Sequence, residues 1–278
     1  MPLKLMYITK KCEIASIAEN AGVDRVFIDM EYVGKEARQA GMDTVKSHHT
    51  VEDVANIRKV VNRSELLVRV NPIHSKTADD AGSVDEINRV IDAGADVIML
   101  PMYKTVAEVE EFVRIVNGRA KTMLLNETVE ACDILDDVLK INEVDELHIG
   151  LNDLHLAKRK KFMFELLVDG TVDNICAKLS KSGKKYGFGG IARIGYGLLP
   201  SEYVIAEHYR LGSSAAILSR TFCNADKVDD IDTVGRIFMS EVAKIREAEE
   251  RISMFTVDEF ESNRKKVKEL VAGIVASM

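Results

Sequence analysis

Apolar residues in this chain gather in short blocks, separated by longer stretches in which they recur at every third or fourth position. Eight blocks stand out: LKLMYI at 3–8, RVFIDM at 25–30, LLVRVN at 66–71, DVIMLPM at 96–102, KTMLLN at 121–126, ELHIGL at 146–151, YGFGGI at 186–191 and AAILSR at 215–220. Each is mostly apolar rather than alternating, which is the pattern of a strand buried on both faces, as parallel strands under a layer of helices must be. Between them, residues 51–61 and 106–116 place apolar side chains at helical spacing along one face. AGVDRV before the second block and AGADVI before the fourth put a glycine just past a helix, where positive φ is useful. Eight strands alternating with helices predict a closed (β/α)8 TIM barrel, an α/β fold with the whole chain, 1–278, as one domain. Nearly sixty residues follow the last block, including two charged helix-like stretches at 232–252 and 257–277. That is more than one closing helix, so the C-terminal helices of 225–278 are expected to pack under the barrel or to serve a homo-oligomer.

Composition narrows the function classes. With 46% hydrophobic and 30% charged residues the chain can bury a large core without staples. A net charge of −7 and the lack of a Lys/Arg stripe argue against nucleic acid as a partner. Cys12, Cys132, Cys176 and Cys223 are scattered, with no C-x-x-C pair and no disulfide-like framework, which predicts a reducing, cytoplasmic setting. The start of the chain lacks the pattern of a secretory signal, and no run reaches the about 18 apolar residues of a membrane span.

In such a barrel the chemistry lies at the carboxyl ends of the strands, so the polar residues that end each block come first. They are Asp29 and Glu31, Arg69 and Asn71, Glu127, and Asn152 with Asp153. Glu127 and Asp153 are one strand–helix unit apart, on neighbouring strand ends. Two hard oxygen ligands with open positions suit Mg²⁺ or Mn²⁺, and no Cys or paired-His cluster nearby suggests zinc. The alternative is that each acid merely caps the helix after it. Arg69, in an otherwise apolar run, needs a counter-charge: an anionic substrate, a salt bridge to Asp29 or Glu31, or both. GFGGIARIGYG at 187–197 could let backbone N–H groups approach an anion, or its glycines could serve only a tight strand–helix corner with Arg193 solvated.

DRVFIDMEY, LLVRVNP, AGADVIMLPM, LLNETVEA and VDELHIGLNDL occur in one order, each around the end of a predicted strand. In these motifs residues 22–222 resemble the metal-dependent HpcH/HpaI-type 2-oxo acid aldolases and the citrate lyase β-subunit with its relatives. The resemblance implies Glu127 and Asp153 as ligands of Mg²⁺ or Mn²⁺, and Arg69 as the group that steadies the enolate oxygen. It also implies that the backbone around Asn152 and Asp153 receives the substrate carboxylate. The chain departs from the aldolases at Tyr32, where they carry a catalytic His. GKEAR, with Lys35 and Arg38, resembles an element of the citrate lyase branch. Extra length after the second strand brings His48 and His49, either of which could supply a base near neutral pH or simply sit at the surface before a helix. His155 and His208 are further candidates.

Three readings follow. One is a class II aldolase that joins or cleaves a 4-hydroxy-2-oxo acid through a pyruvate-type enolate, with a 2-oxo acid and an aldehyde as its small-molecule partners. Another is an acyl-CoA lyase of the citrate lyase β-subunit or citramalyl-CoA lyase type. The third is a metal-binding barrel without turnover.

Overall fold

The computed structural model describes residues 2–33, 49–77, 81–225, 228 and 230–278. Each predicted block forms a strand: β1 (Lys4–Ile8), β2 (Arg25–Asp29), β3 (Glu65–Arg69), β4 (Val97–Leu100), β5 (Lys121–Asn126) and β6 (Glu146–Ile149), with β7 (Lys185–Phe188) and β8 (Gly190–Ile191) in the seventh block and β9 (Ala215–Leu218) in the eighth. All described pairings are parallel, in the order β7-β6-β5-β4-β3-β2-β1-β9-β8. The seventh block is one strand position broken at Gly189, whose φ of +49° favours glycine and where a Cβ would stand 2.6 Å from Leu151 Cδ1. β7 pairs with β6, β8 pairs with β9, and the Ser214 N–H donates to the Tyr186 carbonyl at 2.7 Å, so the ring closes across the break. The expected eight-position α/β barrel is what forms.

The period of two along each strand sorts side chains between two cores. Val26, Ile28, Leu66, Val68, Ile98 and Leu124 face the helices and join the main core. Met6, Phe27, Leu67, Val97, Met99 and Met123 face inward and fill the middle of the barrel. Below them, at the amino ends of the strands, lies a charged plug. Arg25, fully buried, donates twice to Glu146 and once to Glu65, each at 2.7 Å, and Glu65 also holds Lys4 and Lys121. Above the apolar layer the same inward parity delivers Asp29, Arg69 and Glu127 to the carboxyl ends.

Helices α1 (Cys12–Asn20), α2 (Val51–Val60), α3 (Gly82–Asp92), α4 (Val106–Val116), α5 (Val129–Asp133), α6 (Leu135–Val138), α7 (Leu151–Ala157), α8 (Glu165–Val168), α9 (Thr171–Ser182) and α10 (Ser201–Arg210) link the strands. α11 (Ile231–Ile252) closes the layer between α1 and α10. Its Phe238 meets Tyr7 and Phe222 edge-on, and its Glu249 accepts the Leu3 N–H at 2.6 Å. The remaining helix, α12 (Val257–Ser277), packs on α10 and α8, with Val267 and Val271 buried and Asn263 donating to Glu207 at 2.9 Å. No helix among the described residues is long and apolar enough to cross a membrane.

Candidate active site

A cavity of about 570 Å³ opens at the carboxyl ends of the strands, and Asp29, His49, Arg69, Glu127, Asn152 and Asp153 all line it. Asp29 and Glu127, 98 positions apart in sequence, thus border one cavity. Its centre is Arg69. The guanidinium makes a bidentate pair with Asp29, both contacts at 2.8 Å, reaches Glu31 at 3.2 Å and lies 5.9 Å from the Phe27 ring centroid. Burial alone would lower its pKa, but the Asp29 and then the Glu31 charges outweigh burial and raise it, so the group stays charged. The salt-bridge alternative for Arg69 holds, to Asp29 and Glu31 alike, and the guanidinium also borders the cavity.

Glu127 directly follows β5 and is buried. Its Oε1 accepts the Met102 N–H at 3.1 Å, and Met102 adopts φ +53° to aim that bond. A non-glycine residue there costs about 1–2 kcal/mol of backbone strain. Gly150 lies on the other side, where a Cβ would come within 2.7 Å of Glu127 Cβ and 2.9 Å of Oε2. Burial pushes the Glu127 carboxyl up to about 8; Arg69 pulls it down, and the Asp153 and Glu31 charges push it up. The helix-capping alternative fails for both acids. Thr128 caps α5 by accepting the Ala131 N–H, and Gly150, the cap residue before α7, leaves that helix with no side-chain cap, so Asp153 in its first turn caps nothing and lines the cavity.

His49 lies beside Asp29, whose backbone N–H donates to His49 Nδ1 at 3.0 Å. A ring nitrogen that accepts cannot carry a hydrogen, so the neutral ring keeps its proton on Nε2. Asn71 does not line the cavity; its Oδ1 accepts the N–H groups of Tyr32 and Val33 at 2.9 Å, and Glu86 accepts from its Nδ2 at 2.8 Å, which fixes the chain just after Glu31. Tyr32 is half exposed and does not border the cavity. His48, Lys35 and Arg38 lie outside the described residues.

The family model of HpcH/HpaI aldolase/citrate lyase matches residues 5–167, more than half the chain. This protein belongs to that family. An HpcH/HpaI aldolase/citrate lyase family protein from Burkholderia cenocepacia J2315 has a TM-score of 0.63 at 17% identity, over 88% of this chain and 95% of that one. An HpcH/HpaI aldolase from Desulfitobacterium hafniense DCB-2 has a TM-score of 0.60 at 15% identity, over 88% and 93%. The citrate synthase SbnG has a TM-score of 0.58 at 17% identity, over 88% and 94%. At such identities the likeness speaks to the fold. No curated protein matches the sequence.

Within this family frame the other polar residues divide into structure and rim. His155 and His208 are buried away from the cavity: His155 Nδ1 donates to carbonyls of its own helix, and His208 stacks on Phe188 at 3.7 Å while bonding Ser213. Arg193 is not simply solvated; half-buried, it donates to the Phe222 carbonyl at 2.5 Å and lies over Tyr196. The glycines of 187–190 serve close packing, since a Cβ at Gly187 would stand 2.3 Å from the Ala215 carbonyl oxygen. Sequence reading passed over Lys10, Lys11, Ser219 and Arg220, which also line the cavity. They follow the first and last strands, and the rule that picked out Asp29 and Glu127 would have found them.

Proposed function

We propose that this protein is a divalent-metal-dependent carbon–carbon lyase that forms or cleaves a 4-hydroxy-2-oxo acid through a pyruvate-type enolate. The observation that carries the reading is the convergence of Glu127, Asp153 and Arg69 on one cavity wall. The donor set fits the cation that the family implies. A buried Glu127 faces a second carboxylate, and that crowding, with burial, holds its proton on; a cation would relieve both effects. No group of three potential ligand side chains occurs among the described residues, so the pair would leave coordination positions to substrate and water. When bound by Glu127 and Asp153, Mg²⁺ or Mn²⁺ supplies Lewis acidity toward the 2-oxo group.

The chain's own residues account for the remaining roles. Arg69, locked by Asp29 and Glu31, is preorganised positive charge where the enolate oxygen develops its negative charge. Backbone N–H groups around Asn152 and Asp153, at the start of α7, receive the substrate carboxylate. His49, its Nδ1 occupied by the Asp29 N–H, acts as a hydrogen-bond donor through Nε2 to the oxygen on C4. In cleavage the C4 hydroxyl passes its proton to water in the open cavity, the C3–C4 electron pair becomes the enolate, and C4 leaves as an aldehyde. Water returns a proton to C3, which releases the 2-oxo acid.

The test is pyruvate release from a panel of 4-hydroxy-2-oxo acids, with EDTA and then with Mg²⁺ or Mn²⁺ restored. Release that EDTA stops and the metal restores is the expected result. No release with either ion overturns the reading.

A further inference from the structure

We infer that Tyr103, Asn126 and Thr128 are positioning residues that hold Met102 in its left-handed turn and so seat Glu127 for the cation. This rests on the metal-dependent reading above.

β4 and β5 run side by side, Leu100 beside Leu124, and beyond their ends three bonds continue the pairing. The Tyr103 hydroxyl donates to Asn126 Oδ1 at 2.8 Å, the Met102 N–H donates to Glu127 Oε1 at 3.1 Å, and the Thr128 hydroxyl donates to the Tyr103 carbonyl at 3.0 Å. Residues 126, 127 and 128 thus each grip the two-residue segment 102–103. The outer parts of the grip are themselves held. Asn126 Nδ2 donates to Cys132 Sγ at 3.3 Å, which turns its Oδ1 toward Tyr103. Thr128 Oγ1 accepts the Ala131 N–H at 3.0 Å, which leaves its hydroxyl hydrogen for the Tyr103 carbonyl. The Asn126 carbonyl also accepts the Gly150 N–H at 3.1 Å, so one residue anchors both neighbours of the Glu127 carboxylate.

A buried tyrosine hydroxyl needs a partner wherever it lies, but packing alone does not explain a non-glycine residue at φ +53°. Such a conformation persists only where its surroundings over-determine it. Tyr103, Asn126 and Thr128, all buried, supply that constraint, and its product is the N–H aimed at Glu127. Released from the clamp, Met102 would relax to negative φ and turn its N–H away. Glu127 would then lose the bond that fixes Oε1, and the carboxylate would no longer be preorganised as a ligand.

The experiment has two parts. Amide hydrogen exchange at Met102, read by NMR in the metal-free protein, tests the clamp without any cation. Mn²⁺ titration by EPR then tests what the clamp does for the ligand. The variants are Tyr103→Phe and Met102→Val, whose β-branched side chain resists positive φ. In each, the exchange rate and the Mn²⁺ Kd should both rise at least about tenfold while the urea midpoint shows a folded protein. The double variant Tyr103→Phe/Met102→Gly should recover most of the Mn²⁺ affinity, because glycine takes the left-handed turn unaided. A tyrosine that served packing alone would not be rescued in this way. Met102 is half-buried, so Met102→Val carries the test even if Tyr103→Phe fails to fold. Unchanged exchange or unchanged affinity in a folded variant, or a Tyr103→Phe loss that Met102→Gly leaves in place, overturns the inference alone. An unaltered protein that binds no Mn²⁺ overturns the metal reading beneath it, and the exchange rates still decide the clamp.

Discussion

Glu127 shows how much of a site depends on what a single side chain is packed against. Its type and place at the end of β5 were legible in the sequence, but its hydrogen bond from Met102 and the space left by Gly150 come from two other strand ends. Gly150→Ala should therefore displace the carboxylate without unfolding the barrel. We expect Mn²⁺ affinity, read by EPR titration, to fall at least about tenfold, as when groups supporting a metal ligand are lost. Glu127→Gln and Asp153→Asn should lose Mn²⁺ binding altogether, and a normal Mn²⁺ isotherm in Asp153→Asn would remove it from the ligand set. Arg69→Lys should keep the metal but lose about 10²–10³-fold in turnover, because an ammonium cannot reproduce the bidentate grip on Asp29 while still serving the enolate. Steady-state rates beside the same Mn²⁺ titration separate the two effects.

At the scale of elements, strands inherit their inward residues in steps of two, so β2 presents Arg25, Phe27 and Asp29 at three depths. In the sequence Arg25 is only the first residue of a strand, yet it ties β2 to β3 and β6 at the floor of the barrel. Nothing local marks it, since its partners Glu65 and Glu146 lie 40 and 121 positions away. Arg25→Met should cost about 3–5 kcal/mol in urea unfolding, because two carboxylates are left without their buried partner. Replacing Glu65 and Glu146 with apolar residues as well should recover much of that loss, and a single variant with unchanged stability would show that the plug is dispensable.

For the whole molecule, buried titratable groups set the response to acid. Burial lowers His148 to about 4 and His208 well below its ordinary 6.5, so the fold keeps both neutral while the unfolded chain protonates them below about 6.5. The unfolded state then binds more protons, and stability should fall as pH drops from about 6.5 toward 4. Glu65 has the opposite starting point. Although burial opposes it, bonds from Lys121, Arg25 and Lys4 hold its pKa at about 2, so its contribution is whole above 4.5 and fades between 4.5 and 2. Glu127, raised by burial to about 8, takes up a proton in the fold and opposes the two histidines in part, so urea midpoints should slope upward only across pH 4–6.5, and His148→Asn should flatten the slope; an unchanged slope would place the proton uptake elsewhere.

The amino-acid sequence by itself determined the barrel, because apolar blocks of strand length separated by helical periodicity bury their surface best in a ring of parallel strands under helices. It also determined which residues end the strands, and so most of the cavity wall. Tertiary structure decided what those residues do to one another. The pairing of Arg69 with Asp29, the seating of Glu127 against Gly150 and the tautomer of His49 all join groups that lie far apart in sequence. The fate of the C-terminal segment was decided in the same way: α11 and α12 each bury a face on this chain's own helices. Periodicity reports only that a face will be buried, whereas closure of the ring decides which distant groups it meets.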